Sequence, residues 1–429
     1  MTLRNTSLFA AALAALSLTA CSDDADDAPV SVAEARSVLQ RDTTPDVDAA
    51  TVTQLVHDDS DFGLALCGQL AAGKAKGKNV FFSAHSVSRA FAMLYGGARG
   101  ETERQIAAGL RFTLPPEKLH AAMNKVALEL DSRAEAGGTG SDGKGFRLAM
   151  NNSFWGEKTF AWETPYLDLL AVNYGAGINL VDFAGSSEAS RKTINGWTAQ
   201  KTEQRIKELL PQGSLDPSTR FVLVNTVYFN AAWLEEFTPT TVPFAGGAAV
   251  PAIQQVSNDF RYAETEDAVA VSVPYEGRKL ELVVVVPNAL DAFESKLDGD
   301  LFRAIGDKLA PANVDLTMPK VKIEGETVSL QTELSAMGLE SIFGGGDFSG
   351  MARGGGLTID DVYHQAFVKI DEKGTEAAAA TAIVGRETSA TIDPPKKVVV
   401  DKPYLFFIRD VPTGLVLFTG RVVAPSFAE

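Results

Sequence analysis

The sequence has few of the residues on which common catalytic and binding sites depend. It contains two cysteines and four histidines in 429 residues, and 39 lysines and arginines stand against 55 aspartates and glutamates. The resulting net charge of −16 would repel nucleic acid and anionic lipid headgroups, so binding to either is not expected. Hydrophobic residues make up 45% of the chain, which is enough to bury an ordinary globular core.

Short catalytic signatures are also missing. The sequence has no His-Glu-x-x-His or Cys-x-x-Cys pattern for a metal, no Walker glycine loop for a nucleotide, and no Gly-x-Ser-x-Gly elbow for a nucleophilic serine. Ser83 and His85 lie at the start of a helical pattern, where the Ser83 hydroxyl is expected to cap the helix rather than act in catalysis. We therefore predict that the chain is not an enzyme and needs no metal or cofactor.

The first twenty residues are typical of an export signal. Arg4 precedes an apolar run from Leu8 to Leu18 that is too short for a permanent membrane span, and the run ends in Leu18-Thr19-Ala20-Cys21. This arrangement resembles a bacterial lipoprotein signal, which implies that residues 1–20 are removed, that Cys21 is lipidated, and that the protein is anchored at the cell envelope, periplasmic or on the surface. An ordinary signal peptide with an incidental cysteine is the alternative. With Cys21 lipidated, Cys67 has no disulfide partner.

Beyond the signal, the chain divides into a short acidic segment and one long domain. Residues 21–50 are rich in Asp, Ala and Ser and are predicted to form a flexible tether. Residues 51–429 begin with helical patterns, such as 83–96, and continue with strand-like runs, such as 221–229 and 280–287. Helices early and strands late predict an α+β fold.

One segment near the C-terminus combines a glycine with a run of small residues. It reads Asp371-Glu372-Lys373-Gly374-Thr375-Glu376 and continues with four alanines and Thr381. The segment resembles the loop hinge of inhibitory serpins, a family of serine protease inhibitors. The hinge residues implied by this resemblance are Glu372, Gly374, Thr375, Glu376, Ala377, Ala378, Ala379 and Ala380.

Other serpin-like segments occur in the same order as in the family, from about residue 55 to the end. They are Asn79 to Ser86, Phe221 to Trp233, Lys402 to Phe406 and Leu417 to Pro425. One departure is Ala84, where the family usually has proline. Several separated segments in the right order make a chance resemblance very improbable.

The resemblance implies a serpin fold, in which a helix-rich N-terminal part packs on large β-sheets. An exposed reactive-centre loop, here about residues 372–397, would be able to enter the central sheet. A polar cluster would lie beneath the point where that sheet opens, formed by Ser83, Ser86, Asn225 and His364. His364 would act there as a hydrogen-bonding gate and not as a catalyst. The protein is expected to be a monomer.

The composition of the hinge is compatible with insertion as a strand. Side chains alternate between the two faces of a sheet, so Thr375, Ala377, Ala379 and Thr381 would share one face, with Glu376 on the other. The first set is small and uncharged, which avoids the cost of burying a charge. The run contains no proline, so every residue can donate to a new ladder.

The position of the cleaved bond remains open among three candidates. Counting forward from Glu372 with the family's spacing gives Thr388-Ser389, whereas counting back from Lys402 gives Ile392-Asp393. Arg386-Glu387 would instead attract a trypsin-like enzyme. Thr388 is preferred because the distance from the hinge governs how far a captured protease is carried, and it indicates an elastase-like partner.

The sequence thus predicts an inhibitor that traps serine proteases through an acyl link and insertion of its loop, with cysteine proteases left open as targets. Two alternatives are kept. A serpin-fold binding protein would be cleaved as a simple substrate without trapping the enzyme. A lipoprotein hydrolase would need a nucleophilic serine, and it is disfavoured by the missing elbow.

Overall fold

Helices dominate the N-terminal half of the molecule. The computed structural model describes residues 32–135, 138–324, 328–353, 357, 359, 362–375 and 394–427. Its helices are α1 (Ala49–Ala72), α2 (Ala84–Tyr95), α3 (Gly100–Gly109), α4 (Pro116–Glu135), α5 (Thr164–Tyr174), α6 (Phe183–Lys201), α7 (Leu290–Glu294), α8 (Gly299–Lys308), α9 (Gln331–Leu334) and α10 (Ile342–Gly345).

Strands dominate the second half. They are β1 (Ala33–Ala35), β2 (Val80–Phe82), β3 (Arg147–Glu157), β4 (Ile178–Val181), β5 (Phe221–Ala232), β6 (Thr238–Pro243), β7 (Ala249–Ser257), β8 (Arg261–Glu264), β9 (Ala268–Pro274), β10 (Leu280–Pro287), β11 (Ala310–Pro311), β12 (Val314–Pro319), β13 (Val321–Glu324), β14 (Val328–Ser329), β15 (Val362–Ile370), β16 (Gly374–Thr375), β17 (Lys396–Val399), β18 (Tyr404–Asp410) and β19 (Val416–Val422). The predicted α+β fold is confirmed.

Within the described residues these strands form three sheets. The central sheet has eight strands in the order β1-β4-β3-β5-β16-β15-β13, with β14 also pairing to β15. A second sheet has the order β11-β8-β9-β10-β18-β19-β2, and a third has the order β17-β12-β7-β6. The central sheet contains both the hinge and the strands that flank it.

The most apolar strands are covered on both faces. In β10, Leu282 and Val284 belong to the main core, whereas Val283 and Val285 pack in a smaller cluster with Phe302 of α8. A strand buried on both faces has no polar side, which explains the near-continuous apolar run of this segment.

Helix α2 is almost entirely buried between the sheets and α1. The Ser83 hydroxyl accepts a hydrogen bond from the Ser86 backbone N–H at 3.2 Å, so Ser83 caps α2 as predicted. Ala84 is the first residue of the helix, and the helix begins there without the proline that the family usually has.

The prediction of a flexible tether over 21–50 is wrong for the part that the structure describes. Strand β1 pairs antiparallel with β4 at the edge of the central sheet, and α1 already begins at Ala49. Between them, Arg41 Nε donates to Asn124 Oδ1 at 2.8 Å, and the Asn124 amide donates to the Asp42 carbonyl at 2.7 Å. The segment is attached because the edge of the central sheet at β4 supplies backbone partners for β1. We call residues 33–42 the N-terminal strap.

The second cysteine of the sequence, Cys67, is part of the core. Cys67 lies on α1 and is buried, and burial raises the pKa of its thiol to about 12. The thiol is therefore a packing group rather than a nucleophile. Among the described residues, no helix combines the length and the apolar character needed to cross a membrane.

Candidate functional site at the opening of the central sheet

The hinge enters the central sheet between two long strands. Thr375 pairs with Ala231 of β5 on one side and with Ile370 of β15 on the other, both antiparallel. Further along, β5 and β15 pair directly with each other in parallel, from Leu223 opposite Val362 to Val227 opposite Ala366. The two strands are thus parted at one end by two residues of the hinge and are closed below it.

The hydroxyl and the carbonyl oxygen of Thr375 both have buried hydrogen-bond partners. Its hydroxyl lies 2.6 Å from the Tyr275 hydroxyl, and its carbonyl accepts from the Ser141 hydroxyl at 3.0 Å. The side chain is completely inaccessible to solvent. Burial also raises the pKa of Tyr275, which keeps its hydroxyl protonated and able to donate.

The turn that precedes Gly374 is held through its backbone carbonyls. The Trp233 indole N–H donates to the Asp371 carbonyl at 2.8 Å, its backbone N–H donates to the Lys373 carbonyl at 2.9 Å, and the Phe237 N–H donates to the Glu372 carbonyl at 2.8 Å. Two acidic side chains of the turn also form ion pairs. Lys320 pairs with Glu372, and the Lys369 ammonium lies 3.4 Å from Asp371.

Gly374 is required by the space around it. A Cβ atom at this position would lie 2.1 Å from the Ala231 carbonyl oxygen and 2.9 Å from the Ala232 Cα atom. Both neighbours are backbone atoms of β5, so neither can move aside without disturbing the strand. The absence of a side chain therefore allows the hinge to approach β5 closely.

Four polar residues meet below the hinge, where β5 and β15 are closed. The Ser83 N–H donates to His364 Nε2 at 3.3 Å, so the ring proton is on Nδ1, which donates to Asn225 Oδ1 at 2.6 Å. The Asn225 amide in turn donates to Ser86 Oγ at 2.7 Å. All four residues named from the resemblance, Ser83, Ser86, Asn225 and His364, thus lie in one network.

His364 is neutral in this network. Burial without a neighbouring carboxylate lowers the pKa of its imidazole to about 4. The neutral ring accepts at one nitrogen and donates at the other, which joins the end of β2 to the central sheet. This geometry fits a hydrogen-bonding role and leaves no nitrogen free for proton transfer. Its role as a gate stays a prediction.

The cluster has a fifth member, Asn152, that was not predicted from the sequence. Asn152 of β3 accepts from the Asn225 amide at 2.6 Å and from the Ser86 hydroxyl at 3.4 Å. It lies directly opposite Asn225 in the ladder between β3 and β5. Two adjacent asparagines at 151 and 152 in an otherwise strand-like segment were a signal, because amide side chains are unfavourable in a strand interior without a partner.

Several predicted site residues lie outside the described residues. They are Glu376, Ala377, Ala378, Ala379 and Ala380 of the hinge, Arg386, Glu387, Thr388, Ser389 and Ile392 at the candidate cleavage sites, and Cys21 at the candidate lipidation site. Over the ranges that are described, no group of three or more His, Cys, Asp or Glu side chains is placed to hold a metal ion.

Comparisons with known proteins agree on one family. The family profile described as "Serpin (serine protease inhibitor)" matches residues 57–425. Human "Serpin B3" is 32% identical over 381 residues, covering 82% of this chain and 95% of that protein. Human "Leukocyte elastase inhibitor" is 32% identical over 392 residues, covering 87% of this chain and all of that protein.

Solved structures show the same fold. The thermophilic serpin tengpin in its native state superposes with a TM-score of 0.77 at 24% identity, covering 92% of this chain and 99% of tengpin. Uncleaved ovalbumin superposes with a TM-score of 0.74 at 22% identity, covering 86% of this chain and all of ovalbumin. The chain therefore belongs to the serpin family, a family of protease inhibitors rather than enzymes.

Proposed function

We propose that this serpin traps serine proteases by cleavage of its loop and insertion of the loop into the central sheet. The observation that carries the proposal is the position of Gly374 and Thr375, which already pair with β5, while Thr375 also pairs with β15. Two residues of the hinge thus occupy the place where a complete new strand would form. Strand insertion of this kind is a known serpin mode of strand addition.

The register of these two residues defines where the rest of the loop would go. Thr375 now lies opposite Ile370 and Ala231. Thr381 follows Thr375 by six residues, and in the antiparallel partners the matching positions are six residues earlier, at His364 and Asn225. An antiparallel strand that keeps the present register would therefore place Thr381 between His364 and Asn225. Those two residues now face each other directly in the closed ladder.

Insertion would have to break the polar cluster at its centre. The hydrogen bond between His364 and Asn225 spans the closed gap, and both side chains are buried. Breaking it leaves two buried polar groups that need a new partner, which would cost about 1–3 kcal/mol if none arrived. The hydroxyl of Thr381 would arrive at this point in the sequence of insertion. The cluster is therefore expected to hold the sheet closed until the loop is cut.

The chemical step would use the protease's own serine. Its hydroxyl oxygen adds to the carbonyl carbon of the scissile bond, the C–N bond breaks, and the hydroxyl proton passes through the protease histidine to the leaving amine. For a bond after Thr388, the new amine belongs to Ser389 and the ester joins Thr388 to the protease. Insertion of the freed hinge would then displace the protease before water reaches the ester.

Incubation with trypsin, chymotrypsin and pancreatic elastase tests the mechanism and the bond together. Denaturing electrophoresis detects a covalent complex, and mass spectrometry identifies the released C-terminal fragment. Cleavage after Thr388 gives a fragment beginning at Ser389, whereas the alternatives give fragments beginning at Glu387 or Asp393. We expect a complex with elastase and a fragment beginning at Ser389.

The same experiment separates the non-inhibitory alternative. A serpin-fold binding protein would be cut in the loop and would release active protease, with no band of higher mass. Cleavage without a complex for every protease tested would therefore overturn the inhibitory proposal. Absence of both cleavage and complex would overturn the assignment of residues 372–397 as a bait.

We also propose that Cys21 carries lipid and anchors the protein at a bacterial cell envelope. The support is the apolar run that ends in Leu18-Thr19-Ala20-Cys21. Mass spectrometry of the mature N-terminus in an expressing bacterium is the test, with Cys21→Ser as the control. A mature chain that begins at another residue, or an unmodified Cys21, would contradict the anchor.

A further inference from the structure

The last described residues of the chain reach the hinge through two lysines. Phe427 is half-buried, and the ammonium groups of Lys320 and Lys369 lie 5.1 and 5.3 Å from the centroid of its ring. Each lysine also pairs with an acidic residue of the turn that precedes Gly374: Lys320 with Glu372 and Lys369 with Asp371. One aromatic ring therefore lies close to both of the lysine ammonium groups that form ion pairs with the turn.

The ring is fixed to the sheet beside these lysines. The Lys322 N–H donates to the Ser426 carbonyl at 2.9 Å, and the Ser426 hydroxyl donates to the Lys322 carbonyl at 3.3 Å. Lys322 belongs to β13, the edge strand that pairs with β15. The tail is thus attached by its backbone to the strand next to β15, and Phe427 follows immediately.

Both lysines lie on the same face of the sheet and are mostly shielded from water. Val321 and Ile370 pair across β13 and β15 and are buried, so Lys320 and Lys369, each adjacent to one of them, project from the opposite face. Their side chains are only 15% and 22% exposed. A cation over an aromatic face gains more when both are partly removed from water.

We propose that Phe427 is a positioning residue for loop insertion, acting through Lys320 and Lys369 on the turn at Asp371 and Glu372. This proposal rests on the proposed inhibitory function. The ring fixes two flexible lysine side chains, and these hold the turn so that Gly374 and Thr375 stay in the sheet. After cleavage of the loop, insertion then starts from a hinge that is already in register.

The consequence is a competition between two rates. Once the acyl link has formed, the protease is either displaced by insertion or released by hydrolysis of the ester. A hinge that leaves the sheet must re-enter before insertion can proceed. Because this delays insertion, a larger fraction of the acyl links is hydrolysed first. Loss of the aromatic ring is therefore expected to increase the number of inhibitor molecules consumed per protease trapped, without changing the rate at which the loop is first cut.

Phe427→Leu tests this because it keeps an apolar side chain and removes the aromatic face. Phe427→Trp keeps the face and serves as the conservative rescue. Phe112→Leu makes the same chemical change at a buried ring that packs on Tyr95, between α3 and α4, and controls for general destabilisation. The three variants are compared with the wild type in the full-length protein.

Two measurements are made on each variant. The first is the stoichiometry of inhibition of elastase, which we expect to rise about threefold for Phe427→Leu and to remain at the wild-type value for Phe427→Trp and Phe112→Leu. The second is hydrogen exchange of the backbone amides over 368–375 without any protease. We expect exchange there to be about fivefold faster in Phe427→Leu only.

The second measurement keeps the inference independent of the inhibitory proposal. If the wild type forms no complex with any protease, the proposed function fails, and hydrogen exchange still decides whether Phe427 holds the hinge. Equal exchange and equal stoichiometry in the wild type and Phe427→Leu would overturn the inference. So would a Phe427→Trp variant that behaves like Phe427→Leu, because it would exclude the aromatic face as the cause.

Discussion

The hydroxyl groups of Thr375 and Tyr275 lie 2.6 Å apart beneath the point where the hinge enters the central sheet. Thr375 carries the first side chain of the inserted strand. Tyr275 lies in the connection between β9 and β10 and belongs to the core below the sheet. The hinge is therefore bound by its side chain as well as by its backbone. This makes the chemical character of residue 375 testable by substitution.

Replacing Thr375 by Arg is expected to convert the inhibitor into a substrate. The guanidinium would have to enter a site that is fully buried, at a cost of several kcal/mol, so the hinge would stay outside the sheet. Electrophoresis after incubation with elastase should show a cleaved chain and no covalent complex. Thr375→Ser keeps the hydroxyl and should still form the complex; trapping by Thr375→Arg at the wild-type level would contradict the insertion mechanism.

Gly374→Ala should expel the hinge by backbone contact alone. Its methyl group would collide with the Ala231 carbonyl oxygen, and we expect a loss of stability of more than about 1 kcal/mol, measured by denaturant unfolding. Gly345→Ala is a matched control, since a Cβ atom there would meet no atom within 4 Å. Equal effects of the two substitutions would show that the close approach to β5 carries no strain.

The neutral His364 makes the native state sensitive to acid. The pKa of its imidazole is about 4 in the folded protein, below the ordinary value of 6.5, because burial disfavours the charged ring. Between these two values the unfolded chain binds more protons, so the stability contributed by the neutral ring is present above pH 6.5 and falls as the pH drops towards 4. The loss amounts to about 3 kcal/mol over this window.

Unfolding of the wild type and of His364→Gln at several pH values between 7 and 4.5 checks this contribution. The variant should lose less stability than the wild type over that range, because it lacks the titrating ring. His57→Gln, the same change on α1, controls for the loss of a histidine as such. Parallel pH profiles for the wild type and His364→Gln would show that the ring does not titrate in this window.

The ion pair between Lys320 and Glu372 predicts a charge-reversal effect at the turn. Glu372→Lys would place two ammonium groups next to each other on side chains that are no more than a quarter exposed. We expect this to lower the stability of the turn by about 1 kcal/mol. The double variant Lys320→Glu/Glu372→Lys restores opposite charges and should recover part of the loss. Hydrogen exchange of the amides over 368–375 is measured for the single and the double variant. If the effects of the two substitutions on exchange simply add, the ion pair contributes nothing to holding the turn.

Local patterns in the sequence identified the parts of the site that depend on one short segment. The hinge could be located because its small residues and its glycine follow one another, and the serines around Ala84 could be placed at a helix start. The order of the flanking strands could not be read in this way. Only the fold shows that Gly374 and Thr375 form a strand between β5 and β15, two strands that are distant from each other in sequence.

The features that were not predicted from the sequence depend on contacts between distant segments. Strand β1 is three residues long and exposed on its outer side, so it has no apolar alternation that would distinguish it from a tether. Asn152 and Phe427 each contact residues more than fifty positions away. No periodicity within either segment can report such a partner.

The attached N-terminal strap changes how far the inhibitor could stand from a membrane. A free tether over 21–50 would allow a reach of about 100 Å, whereas attachment from Ala33 leaves only twelve links between Cys21 and the N-terminal strap, with a reach of about 40 Å at full extension. With Cys21 lipidated as proposed, the bait loop would stay within a layer above the membrane that is little deeper than the protein itself. Proteases held at the same envelope surface would then lie within reach of the loop.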